Sequence, residues 1–200
     1  MGNRFAQRNQ VVPEFLRYGM LAKVLPDDRL RAASMLVDPG YLTAEHAAAV
    51  LQAAGMDEQE SADVVRTAQE RYRVHLEQSE GMGDWERFDA AFDEVADRGI
   101  IVRHNFTCCR TCANEEIDDE RTAGEWGYVY FSQQDALELA YGRAQVYLGF
   151  GVFDDAGRRA EDVASHVVAA LTKQGLVAEW DGDAHTRIQV VGMDWRRPLA

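Results

Sequence analysis

The sequence predicts an α+β protein: a helical N-terminal region, then a mixed or antiparallel sheet of about five strands layered with helices. Three observations predict it. Up to residue 79 the apolar side chains fall at three- and four-residue spacing, the period of a helix packed by one stripe. Glu80-Gly81-Met82-Gly83 then interrupts the pattern. Beyond Gly99, β-branched and aromatic runs alternate with helical ones. The expected organisation is a helical region over 1–83 and an α+β domain over 84–200.

Taken in order, a first helix is predicted over 13–25, stopped by Pro26. Asp27 or Asp28 caps a second that runs to about Val37, before the turn Asp38-Pro39-Gly40. Thr43 caps a third, with Ala47, Val50, Leu51 and Ala54 on one side and Gly55 at its end. Asp57 opens a fourth, with Glu60 in capping-box position and a stripe of Ala62, Val65, Ala68, Tyr72 and Leu76. After the break, Asp84 caps a helix whose inner face is Trp85, Phe88, Ala91, Phe92 and Val95. Strands are expected over 100–107, 127–132 and 144–153, the third with a bulge or a close backbone approach at Gly149 and Gly151. A short helix is expected over 134–141, and a longer one over 160–174 that ends at Gly175. Strands 176–180 and 187–191 then form a hairpin about Asp181-Gly182-Asp183. From Asp84 the order reads α-β-α-β-α-β-α-β-β.

Charge narrows the function classes. The chain has 200 residues, 34 acidic against 21 basic, for a net charge of −13. Such a surface repels phosphate backbones and anionic lipid, so neither nucleic acid nor a membrane is an expected partner. A basic protein partner is compatible with it. No apolar run approaches the roughly 18 residues of a membrane span. Residues 1–10 lack the apolar core of a signal peptide. All three cysteines sit within one pentapeptide, which is no disulfide framework. These features together predict a cytoplasmic protein.

The chemistry-bearing stretch is His104-Asn105-Phe106-Thr107-Cys108-Cys109-Arg110-Thr111-Cys112. It supports three readings. Thiolates and imidazole are preferred zinc ligands, and Cys109-x-x-Cys112 has ligand spacing, with Cys108 and His104 near. No second such pair follows, and His166 and His185 are the later histidines. Alternatively, a dithiol where a strand enters a helix is the arrangement of a redox pair, since the helix's positive end and Arg110 favour a thiolate. The acidic Glu115 and Glu116 oppose it. In the third reading the cysteines are structural. Strand alternation puts Ile100, Val102, His104, Phe106 and Cys108 on one core face, and Cys112, Ala113 and Ile117 suit the inner side of the next helix.

FTCCRTC followed by Ala-Asn-Glu-Glu-Ile, then GYVYFSQQD, then GLVAEWDGD with RIQV and DW, resembles a bacterial, mainly actinobacterial, family of domains of unknown function. The resemblance runs from about Trp85 to Arg197 and implies a bacterial cytoplasmic protein with one coherent C-terminal unit. It implies no activity, cofactor or catalytic residue. No nucleophile elbow, P-loop, zinc-protease helix or dinucleotide loop occurs. The expectation is therefore a non-catalytic binding or interaction protein with structural cysteines. The alternative is a site at 104–112 that holds zinc or works as a redox pair.

Overall fold

The computed structural model describes residues 20–122, 124–140 and 144–200. The predicted polar N-terminus and the first part of the first predicted helix lie outside these residues, as do Tyr141 and Gly142 at the end of the short helix predicted over 134–141. Among the described residues the fold is α+β, with helices preceding a five-stranded mixed sheet.

Four helices come first: α1 (Met20–Val24), α2 (Arg29–Val37), α3 (Ala44–Ala53) and α4 (Glu58–Gln78). Their starts are fixed by the expected caps. Asp28 accepts from Arg31 N, Thr43 from His46 N, and Asp57 from Gln59 N and Glu60 N. Each supplies an acceptor that the first helical turn lacks. On α4 the buried stripe is Ser61, Val65, Ala68 and Tyr72. Ala62, expected inward, faces solvent, and Ser61 takes its place because its hydroxyl is satisfied by Glu58 O and Gln52 Nε2. These helices share a core of Leu21, Ala32, Leu36, Leu51 and Val65.

From residue 85 the order is α5 (Trp85–Ala96), β1 (Ile100–Arg103), α6 (Arg110–Glu116), β2 (Gly127–Tyr130), α7 (Gln133–Ala136), β3 (Ala144–Val152), α8 (Ala160–Lys173), β4 (Val177–Glu179) and β5 (Ile188–Met193). Single 3-10 turns follow α6 and α7. The sheet order is β1-β2-β3-β5-β4, with β1 and β2 parallel and the remaining neighbours antiparallel. Parallel β1 and β2 need a crossover, and α6 belongs to it. The helices α5 and α8 cover one face, burying Phe88, Phe92, Val95, Val163, Val167 and Leu171 against Val129, Val146, Leu148, Ile188 and Val190. A smaller cluster on the other face joins Ile101, Phe106, Tyr130 and Phe153 to Ala113 and Ile117.

Two local expectations change, and a third is decided between its two alternatives. Asp84 makes no cap to its helix; its carboxylate accepts from Asp194 N and Arg87 instead, tying the helix start to the chain's end. The glycines of β3 serve a close approach: a Cβ on Gly149 would stand 2.7 Å from Tyr130 Cζ, and Tyr128 likewise covers Gly151. The irregular register lies elsewhere, between Ala144 and Val146. Finally, β4 and β5 are joined by a longer loop than the expected turn, closed by Asp181 Oδ1, which accepts from Asp183 N and Thr186 Oγ1.

Candidate metal centre

β1 ends at Arg103, four residues short of the predicted strand end. Asn105 and Thr107 both adopt φ of 52°, the left-handed region. Two left-handed residues so close together stop regular alternation. His104 stays with the α5 face of the sheet, whereas Phe106 turns to the opposite face among Ile101, Ala113 and Tyr130. The single-face reading of Ile100, Val102, His104, Phe106 and Cys108 therefore fails after His104. The loop stays pinned to its neighbour nonetheless. Phe106 N donates to Phe131 O at 2.8 Å, Gln133 N to Thr107 O at 3.0 Å and Gln134 N to Cys108 O at 3.3 Å. It thus sits at the carboxyl ends of the two parallel strands.

This path brings all three sulfur atoms together. Cys108 is buried, while Cys109 and Cys112 are partly exposed. Cys109 occupies the N-cap of α6 in an extended conformation, φ −154° and ψ 173°, so its side chain turns back over the first helical turn. Cys112 rises from that turn. Cys108 Sγ lies 3.3 Å and Cys109 Sγ 3.8 Å from Cys112 Sγ. All three ligand atoms fall within 4.8 Å of one another. Adjacent cysteines point apart in a regular strand; here the left-handed Thr107 and the helix entry remove that obstacle. Thr107 Oγ1 donates to Cys109 O at 3.2 Å and braces the turn.

The three thiols are electrostatically unlike. Burial, then hydrogen bonding with Cys112 and Cys109, pushes Cys108 up to about 12. Burial also acts to raise Cys109, but the Cys112 backbone N–H, the two neighbouring thiols and the Thr111 N–H together hold it below the ordinary thiol value. For Cys112 the hydrogen bond with Cys108 acts to lower the value. Burial, the bond with Cys109 and the charges of Cys109 and Glu115 outweigh it, and the net shift is upward. The cluster therefore presents one thiolate-prone sulfur and two that keep their protons until a cation displaces them.

His104, the fourth residue of the predicted set, lies apart from the sulfurs. It is 4% exposed and ringed by Tyr41, Trp85, Phe88, Phe92 and Phe131. Tyr41 Oη and His104 Nδ1 share a hydrogen bond of 3.3 Å. The potential ligand group among the described residues comprises Cys108, Cys109 and Cys112 without it.

Sequence reasoning missed a second polar site. Asp38, read from the sequence only as part of a turn, lines a cavity of about 330 Å³ together with Arg71, Tyr72 and His75. The one available signal was the recurrence of Arg71 and His75 at i and i+4 on one face of a helix.

Among the described residues no helix is long and apolar enough to cross a membrane. No curated protein and no solved structure matches the chain. The family model described as Domain of unknown function (DUF6891) matches residues 27–199, helical region and sheet together, and the chain belongs to that family.

Proposed function

We propose that the protein is a non-catalytic metal-binding module in which Cys108, Cys109 and Cys112 hold a thiophilic divalent ion, zinc first. The observation that carries this reading is the convergence of three sulfurs from five consecutive residues to within 4.8 Å. Tetrahedral zinc with bonds of about 2.3 Å places its sulfur ligands about 3.8 Å apart. Cys109 and Cys112 stand at 3.8 Å already, and Cys108 has to move outward from 3.3 Å. Three thiolates leave the fourth position for a water or an outside ligand, the feature that separates an exchanging site from a closed structural one. The sign of the surface, with a net charge of −13, supports a basic protein partner over nucleic acid or anionic lipid. Three free thiols support a reducing, cytoplasmic setting.

The test is metal analysis of native protein purified without chelators, followed by cobalt substitution. About one zinc per chain, and a cobalt–thiolate charge-transfer band lost in Cys109→Ser/Cys112→Ser, are expected. Metal-free native protein whose cobalt form shows no such band overturns the reading.

One observation favours a second reading. Cys109 is the thiolate-prone member of a Cys-x-x-Cys pair whose sulfurs are 3.8 Å apart. Oxidation would join Cys109 Sγ to Cys112 Sγ, the two thiols losing two protons and two electrons to glutathione disulfide, which is reduced to two thiols. A 109–112 disulfide that forms in a glutathione buffer and returns on reduction, in protein without affinity for cobalt, selects this alternative.

A further inference from the structure

The cavity beside Asp38 is built in a way that packing alone does not explain. Asp38 closes the C-terminal end of α2, where its backbone N–H donates to Ser34 O. A carboxylate there faces the negative end of the helix dipole. Its Oδ1 is buried and accepts no hydrogen bond among the described residues. Burial raises its pKa to about 7 against the lowering influence of Arg71. Each of these features disfavours an anion, and a turn needs none of them.

Across the cavity, α4 presents Arg71 and His75 one helical turn apart, both exposed at the mouth. Arg71 is near enough to act on Asp38 through its charge, yet the two form no ion pair. Asp194, the other charged side chain lining this space, and the Tyr72 hydroxyl are already engaged. Arg196 pairs with Asp194 at 2.6 Å, and Tyr72 Oη donates to Arg197 O at 2.9 Å. The remaining wall mixes Leu139, Met193 and Trp195 with the polar Ser34 and Asp194. About 330 Å³ is room for a small metabolite.

From this juxtaposition we infer that the cavity is a binding site for a small zwitterion of the α-amino-acid class, its ammonium group on Asp38 and its carboxylate on Arg71 and His75. A ligand with both charges separates and satisfies the two ends at once. A simple anion would meet Asp38, and a simple cation would meet Arg71. The site is remote in sequence from the cysteine cluster and does not depend on a metal there.

The full-length chain is titrated by calorimetry and ligand-observed NMR at neutral pH with each common L-α-amino acid, and with its N-acetyl and C-amide forms. At least one amino acid is expected to bind saturably, with both capped forms weaker by about tenfold or more. Arg71→Gln, an exposed change that leaves folding intact, weakens the free amino acid and not its C-amide form. Asp38→Asn weakens the free amino acid and not its N-acetyl form. Absence of saturable binding by every amino acid up to about 10 mM, a capped form that binds as well as its parent, or binding indifferent to both substitutions overturns the assignment.

Discussion

Thr107 is a β-branched residue at φ 52°, a conformation that crowds its Cβ against its own backbone. Strain of this kind persists where surrounding bonds over-determine the backbone, and here the loop is held on both sides by Phe131, Gln133 and Gln134. Thr107→Gly relieves the strain and loses the bond to Cys109 O. The two effects nearly offset in stability, within about 1 kcal/mol by denaturant titration. The loop becomes less ordered, however, so cobalt affinity is expected to fall several-fold. A second residue-scale prediction concerns pH. Asp38 holds its proton more tightly folded than unfolded, at about 7 against 3.8. The folded state therefore binds the extra proton between these values, and stability falls as pH rises from about 4 to about 7 before levelling off. Asp38→Asn removes this fall and raises neutral-pH stability by about 2 kcal/mol, after discounting for the partial solvent access of the carboxyl. Urea midpoints of both proteins from pH 4 to 8 check the sign: the gap between them widens upward in pH.

Among the elements, the sheet depends on two glycines for its fit. The tyrosines of β2 lie across β3 at Gly149 and Gly151, with Tyr128 and Tyr130 stacked at 6.3 Å between ring centroids. Gly149→Ala forces Tyr130 off its position and its bond to Asn114, and is expected to cost about 1–3 kcal/mol in thermal or urea unfolding. The sequence announced a close approach here, since glycines inside a strand have few other uses. It announced the helices through their ends: Asp28, Thr43 and Asp57 cap as expected, and Gly55, Gly99 and Gly175 take the positive φ that a helix exit requires. The cysteine loop was less legible. Alternation is a property of extended backbone, and nothing in the letters Asn105 and Thr107 says that both leave it. Convergence of Cys108 with Cys109 and Cys112 follows from those two dihedrals, so the sulfur cluster was visible as spacing and invisible as geometry. His104 was readable as a core histidine, but its aromatic surround draws on Tyr41, far away in the chain. The pairing of Asp38 with Arg71 across a cavity depends on how α2 and α4 pack, a tertiary fact with no local signature.

At the scale of the whole molecule, the break at 80–83 invites a picture of two units, whereas the last residues of the chain stitch the helical part to the sheet part. Trp195 is 5% exposed; its Nε1 donates to Pro39 O at 3.2 Å, and its ring meets Trp85 and Phe88 edge-on. Arg197 stacks its guanidinium over Tyr41 at 4.3 Å and Trp85 at 5.0 Å, while its carbonyl takes the Tyr72 hydroxyl bond. Tyr41, from the loop after α2, belongs to the core of the sheet, and Leu137, from the sheet part, belongs to the core of the helices. With one large side chain exchanged in each direction, the two cores lean on one another across this seam. Unfolding is therefore expected as one cooperative transition, with circular dichroism and tryptophan fluorescence superimposing. Trp195→Ala removes the central ring of this seam and strands the Pro39 carbonyl, a loss of about 3–5 kcal/mol. Two outcomes distinguish a seam from an ordinary core position. If the ring joins two otherwise self-sufficient units, the variant unfolds in two steps, with the helical signal lost first. If the cores are interdependent, as the exchange of Tyr41 and Leu137 indicates, the single transition moves to lower denaturant without splitting, and that is the result expected.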